Sequence, residues 1–165
     1  MTQTPNWDEI ITGDVDSWVS TLPSYQRAHI ERMLQESNPL EVATTWLAGT
    51  GPSNTAPYGG VRAGAKRFYD SLLVELQKLF CGDAQYEEDR QSIGKAAGGG
   101  KLVIVGAVST AIAPHVGAAA VLIGPAVALT LGVLGNAAQS SICGAIGDAI
   151  AARQEQPDGG GTPQG

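Results

Sequence analysis

From Leu102 to Gly147 the chain runs for 46 residues without one Asp, Glu, Lys or Arg. The whole chain is poor in groups that do chemistry, with two histidines, His29 and His115, and two cysteines, Cys81 and Cys143, among 165 residues. So few thiols make no disulfide framework, and a reduced intracellular setting is expected for them. Aromatic residues are 5% and charged residues 16% of the chain. The apolar mass is therefore Ala, Val, Leu and Ile rather than large rings, and charge falls below the ~25% of an ordinary domain. The opening Met1 to Asp8 has neither the basic nor the apolar region of a secretory signal, so a cytoplasmic start is expected. Net charge is −6, and the one basic cluster is Arg62, Lys66 and Arg67. Phosphate backbones are bound by clustered Lys and Arg, so nucleic acid is excluded as the main ligand.

What is present reads as helix throughout, and the fold class is all-α: short amphipathic helices followed by an Ala/Gly-rich apolar helical hairpin. Trp7, Ile10, Ile11, Val15, Trp18, Val19 and Leu22 recur at spacings of three and four, which predicts one helix over 7–22 with Gly13 as its weak point. Pro23 stops it, and a short helix over 25–35 follows with Ile30, Met33 and Leu34 inward. Asn38, Pro39 and Glu41 form a start signal: a side-chain cap, a proline suited to the first helical position, and an acid facing the helix dipole. The strongest amphipathic pattern is 61–80, with Phe68, Leu72, Leu76 and Leu79 on one face and Leu73 and Phe80 beside it. Gly82 and Asp83 punctuate the chain before a helix over 84–97, read as a solvated face or hinge because of Glu87, Glu88, Asp89 and Arg90.

These elements divide the chain into a small helical unit over 1–48 that regulates or binds a partner, a linker over 49–60, amphipathic helices over 61–97, an apolar hairpin over 98–153 and a disordered Gly/Pro-rich tail over 154–165. Trp7, Trp18 and Trp46 are candidate partner anchors in the first unit, against the alternative of ordinary core packing.

Gly124 and Pro125 divide the charge-free stretch into two segments of 22 residues, 102–123 and 126–147. A bilayer core of about 30 Å needs about 20 helical residues, so each segment has the length of one span, and Gly124 and Pro125 become the hairpin turn. The residues expected to enter lipid are Leu102, Val103, Ile104, Val105, Val108, Ile112, Val121, Leu122 and Ile123 on the first segment. Val127, Leu129, Leu131, Val133 and Leu134 follow on the second. Leu and Ile gain only ~0.3–0.6 kcal/mol each at a span centre, so polar insertions such as Thr130 and Asn136 leave insertion marginal. Small residues at spacing four, Gly124, Ala128 and Gly132 on one ridge and Ala137, Ser141 and Ala145 on another, allow close helix–helix approach and self-association. Lys95, Lys101 and Arg153 flank the hairpin and place both its ends on the cytoplasmic side of the inner, or plasma, membrane.

No catalytic machinery assembles. Lys95 to Leu102 fails as a phosphate loop, because Lys95 stands where its first glycine belongs and Leu102 replaces the Ser or Thr that holds magnesium. Asp14 and Asp16 lack the further oxygens of a calcium loop, and Cys81 has no adjacent His or base to activate it. His115, beside Pro114 in apolar surroundings, reads either as a pH sensor or as a neutral capping imidazole. The expectation is a non-enzyme without catalytic, cofactor or metal residues. Its partners are a lipid bilayer, its own copies and a regulatory protein bound through 7–47.

Over residues 61–152 this order of amphipathic helices around a charge-free hairpin resembles that of pore-forming colicins and related toxins, in arrangement and not in any shared motif. The resemblance implies a soluble helical bundle whose buried hairpin enters a membrane and permeabilises it. Two other readings stay open: a soluble all-α adaptor that keeps the hairpin buried, and an accessory membrane protein with two constant spans.

Overall fold

The computed structural model describes residues 6–50, 60–136 and 142–155, and every element within them is helical. Residues 51–59 of the expected 49–60 linker, the small residues Ala137 and Ser141, and residues 156–165 of the expected tail lie outside these residues, whereas Gly49, Thr50 and Gly60 at the linker ends and Gln154 and Glu155 at the start of the tail are helical.

The N-terminal face is as predicted, but the helix is not continuous. The chain forms α1 (Trp7–Ile10) and α2 (Val15–Val19), with Gly13 between them at φ +99°, a left-handed conformation that side chains disfavour. Asp14 restarts the helix: its Oδ1 accepts from Ser17 N at 2.9 Å, and Ser17 Oγ donates back to the Asp14 carbonyl at 2.8 Å. The apolar set survives the break, since Trp7, Ile11, Trp18, Val19 and Leu22 are all buried. Next come α3 (Ser24–Leu34) and α4 (Pro39–Thr50), and α4 starts as its sequence signal requires, with Asn38 Oδ1 accepting from Glu41 N at 2.9 Å.

Helix α5 (Gly60–Phe80) buries Tyr69, Leu72, Leu73, Leu76, Leu79 and Phe80. A 3-10 turn over Ala84–Tyr86, started by Asp83 through Gln85 N at 2.9 Å, leads into α6 (Glu87–Ala96). Glu87 and Glu88 face solvent, but the helix also has an inner face, because Arg90 and Ile93 are buried together with Tyr86 just before it.

The charge-free stretch departs most from expectation. Helix α7 (Lys101–Val116) ends at Gly117, whose φ of +75° lets its N–H and that of Ala118 reach the Ala113 carbonyl at 3.0 and 3.3 Å. Helix α8 (Ala120–Asn136) then runs through Gly124 and Pro125, and α9 (Ile142–Glu155) follows. Gly124 and Pro125 are therefore no hairpin turn; the bend lies at 117–119, seven residues before the proline. Helices of 16 and 17 residues are about 24 and 26 Å long, short of a bilayer core. Among the described residues no single helix is long and apolar enough to cross a membrane; α7 and α8 pass that test only as a pair, bent by 116°.

α8 occupies the centre. It packs against α2, α4 and α7, with further contacts to α3 and α9, while α5 lies against α4, α7 and α9.

Candidate functional site: the charge-free helix pair

Pro125 has no N–H, and its ring pushes against the carbonyl four residues earlier, that of Val121. The Val121 carbonyl, left without its helical donor, is met from outside the helix by Gln26 Nε2 on α3 at 3.3 Å, and Trp46 Nε1 on α4 donates to the next carbonyl, Leu122 O, at 2.8 Å. A proline that reads locally as a turn is thus carried inside a helix by two side chains distant in sequence.

Further along α8, Thr130 Oγ1 donates to the Ala126 carbonyl at 2.8 Å. That leaves Tyr69 as donor in the 2.6 Å contact between its hydroxyl and Thr130 Oγ1. Burial pushes the Tyr69 phenol up to about 12, because its charged form would sit in the apolar centre. Arg153 on α9 lies 4.8 Å above the Tyr69 ring and donates to Asp70 Oδ1 at 2.5 Å and to the Lys66 carbonyl at 3.4 Å. Lys101, the first residue of α7, sits 5.3 Å from the Trp18 ring.

The residues expected to enter lipid divide into two groups. Ile104, Val105, Val108, Ile112, Ile123, Val127, Leu129, Leu131 and Leu134 are buried among the helices, and Val133 is half-buried. Leu102, Val103, Val121 and Leu122 are exposed, at 61%, 40%, 59% and 37% of their surface. Leu102 and Val121 rim a cavity of about 180 Å³ between α7, α8 and the α2–α3 junction, with Gly106, Ser109, Gly124 and Gln26 among its lining.

The first small-residue ridge is already used inside the molecule. Gly124, Ala128 and Gly132 are buried, and a Cβ on Gly132 would stand 2.6 Å from Val15 Cα, so α2 occupies the groove at that end, while a Cβ on Gly124 would meet nothing within 4 Å. On the second ridge Ala145 packs half-buried against the core. The tryptophans are core residues in this conformation and not free anchors: Trp7 stacks edge-on against Phe80 at 4.9 Å, Trp18 is buried with Nε1 donating to the Thr12 carbonyl at 2.9 Å, and Trp46 is half-buried on His29 and α8.

Cys81 and Cys143 are bridged, their Cα atoms 5.3 Å apart and 62 residues apart in sequence. The pair expected as separate reduced thiols is therefore a single staple between the end of α5 and the start of α9. Beside it Asp8 Oδ1 accepts from Ile142 N at 2.9 Å and caps α9.

His115 neither sits at depth nor caps the following helix. It is exposed, its ring edge-on to Tyr86 at 5.1 Å, and Nδ1 lies 3.2 Å from Gln85 Nε2. Tyr86 donates to Glu75 Oε1 at 2.6 Å, and burial together with that carboxylate raises its phenol well above the ordinary range. Among the described residues no group of three or more His, Cys, Asp or Glu is placed to hold a metal ion.

No protein-family model, curated protein or solved structure matches the chain.

Proposed function

We propose that the chain is a membrane-active helical effector that stores an apolar helix pair in a bundle and delivers it to a lipid bilayer, where copies associate and permeabilise the membrane. The carrying observation is the exposure of Leu102, Val103, Val121 and Leu122 on a helix pair that has no charge from Leu102 to Asn136. Exposed large apolar side chains on such a pair mark a contact surface, and a bilayer accepts it without a complementary charge. The target in this reading is the plasma membrane, or inner membrane of a bacterium, and no catalytic step is involved. Self-association through Gly124, Ala128 and Gly132 requires α8 to leave α2 first, since α2 lies against Gly132.

A second reading, a helical adaptor or structural subunit with α8 as its permanent core, is favoured by the 2.6 Å approach that a Gly132 Cβ would make to Val15. Dye release from phosphatidylcholine–phosphatidylglycerol vesicles separates the two, measured with the Cys81–Cys143 bridge intact and reduced. Leakage by the wild type that Leu102→Asp and Val121→Asp abolish supports the membrane reading; both positions are exposed, so the bundle tolerates the change. A chain that neither leaks dye nor sediments with vesicles in either redox state, and melts as a cooperative monomer, is the adaptor.

A further inference from the structure

The two cysteines bracket the whole of α7 and α8. Cys81 follows the last residue of α5, and Cys143 is the second residue of α9. Asn136, the last residue of α8, is seven residues from Cys143, a reach of at most about 25 Å. With the bridge closed, the far end of α8 cannot travel from α5 by more than about its own length. The polar ties that would remain across the α5–α9 seam after its loss are few, while Ile142 and Ile146 of α9 stay buried in the core. Asp8 is exposed and caps Ile142 N, and Arg153 donates to the Lys66 carbonyl and pairs with Asp70, whose side chain is 44% accessible. The bridge itself is open to reagents, since Cys81 is exposed and Cys143 half-buried.

We infer that the Cys81–Cys143 disulfide is a redox latch: oxidised, it holds the charge-free pair in the bundle; reduced by a dithiol, it lets α9 leave α5 and α8 leave α2 and α4, which exposes that pair. This inference rests on the membrane reading for its destination, and on the chain connectivity alone for its motion. A thiolate of the dithiol attacks Cys81 Sγ, the S–S bond breaks, and the electron pair leaves on Cys143 Sγ, which takes up a proton. The second thiol of the dithiol then displaces Cys81 Sγ, which is protonated in turn. The dithiol becomes a disulfide, and the two cysteines gain two electrons and two protons. The bridge closes a loop of 62 residues, and its loss shifts the opening equilibrium by up to about a thousandfold, the value for a fully unfolded loop of that length. The stored form thus belongs to oxidising surroundings and the released form to reducing ones.

The test uses the full chain, dithiothreitol, the Cys81→Ser/Cys143→Ser double variant, and dye-loaded phosphatidylcholine–phosphatidylglycerol vesicles, with hydrogen exchange followed in parallel. The expected result is little leakage from the oxidised chain, rapid leakage on adding dithiothreitol, and leakage from the double variant that dithiothreitol does not change. Exchange protection falls in α8 and α9 by up to about a thousandfold and less in α4 and α5. Equal leakage from oxidised and reduced chain keeps the membrane reading and overturns the latch. If no form leaks, the membrane reading falls and exchange decides the latch. Selective loss of protection in α8 and α9 upholds it, while unchanged protection or a uniform loss over all helices overturns it.

Discussion

Gln26 Nε2 donates to the Val121 carbonyl across 3.3 Å and 95 positions of sequence, supplying the hydrogen bond that Pro125 withholds from its own helix. Replacing Gln26 by Leu removes the protein donor to that part-buried carbonyl, at a cost of about 0.5–1.5 kcal/mol in urea denaturation. Pro125→Ala restores an N–H four residues on, so Gln26→Leu costs less in that background. The two changes then couple by about 1 kcal/mol in a double-mutant cycle. Strictly additive costs would cut the link between the glutamine and the proline.

The same pair of residues shows where the sequence was legible. The apolar face of α5 and the start of α4 rest on spacing and on caps within four residues, and both form as predicted. The Gly124–Pro125 turn was misread because its compensation comes from Gln26 and Trp46, which no local pattern connects to it. The true bend at Gly117 does carry a local mark, His115 in the last helical turn followed by a glycine, but the Gly124–Pro125 pair is the stronger turn signal by itself. At the N-terminus the periodicity found the right buried side chains, Trp7, Ile11 and Trp18, but not the break at Gly13, because a face can continue across a kink. The Cys81–Cys143 pairing spans 62 residues and has no sequence signal at all. Hydropathy marks the stretch from Leu102 to Leu134 as apolar, yet only the packing of α2, α3 and α4 decides that Leu102 and Val121 are exposed while Ile123 and Val127 are not.

Glycines on the charge-free pair are not equivalent. A Cβ on Gly132 meets Val15 Cα at 2.6 Å, a backbone atom that cannot rotate away, so Gly132→Ala must separate α2 from α8. The expected loss is about 1–3 kcal/mol, the range for overpacking. Gly106, within α7, has nothing within 4 Å of its Cβ position, and Gly106→Ala is expected to stabilise by about 0.5–1 kcal/mol through helix propensity. Chemical denaturation of the two variants checks both signs at once.

Two buried phenols set the alkaline limit of the fold. Tyr69 is raised from 10.0 to about 12 by burial, and Tyr86 is raised further by burial and by Glu75. Because the folded values lie above the unfolded ones, their contribution is complete below pH 10. It declines as pH rises, for Tyr69 through about 12, by about 1.4 kcal/mol per pH unit for each phenol. Tyr69→Phe removes one share of that slope and Tyr86→Phe the other, in melts recorded from neutral pH into this window. A slope unchanged in both variants would assign alkaline unfolding to other groups.

Arg90 is buried on α6, where its Nη1 donates to the Leu79 carbonyl at 3.1 Å and reaches that of Lys78 at 3.5 Å. These are carbonyls of the last turn of α5, which have no partner within their own helix, and the positive guanidinium also faces the negative end of the α5 dipole. Arg90→Met keeps most of the apolar stem but removes the charged donor, and the expected loss is about 2 kcal/mol, within the range for hydrogen bonds to charged groups. Arg90→Lys retains charge but loses the forked geometry, so its stability should fall between wild type and Met. Equal stability of Arg90→Met and wild type in urea would show that solvent satisfies the end of α5. The end of α5 is also where Cys81 lies, so hydrogen exchange on Arg90→Met should show that turn fraying first even with the disulfide closed.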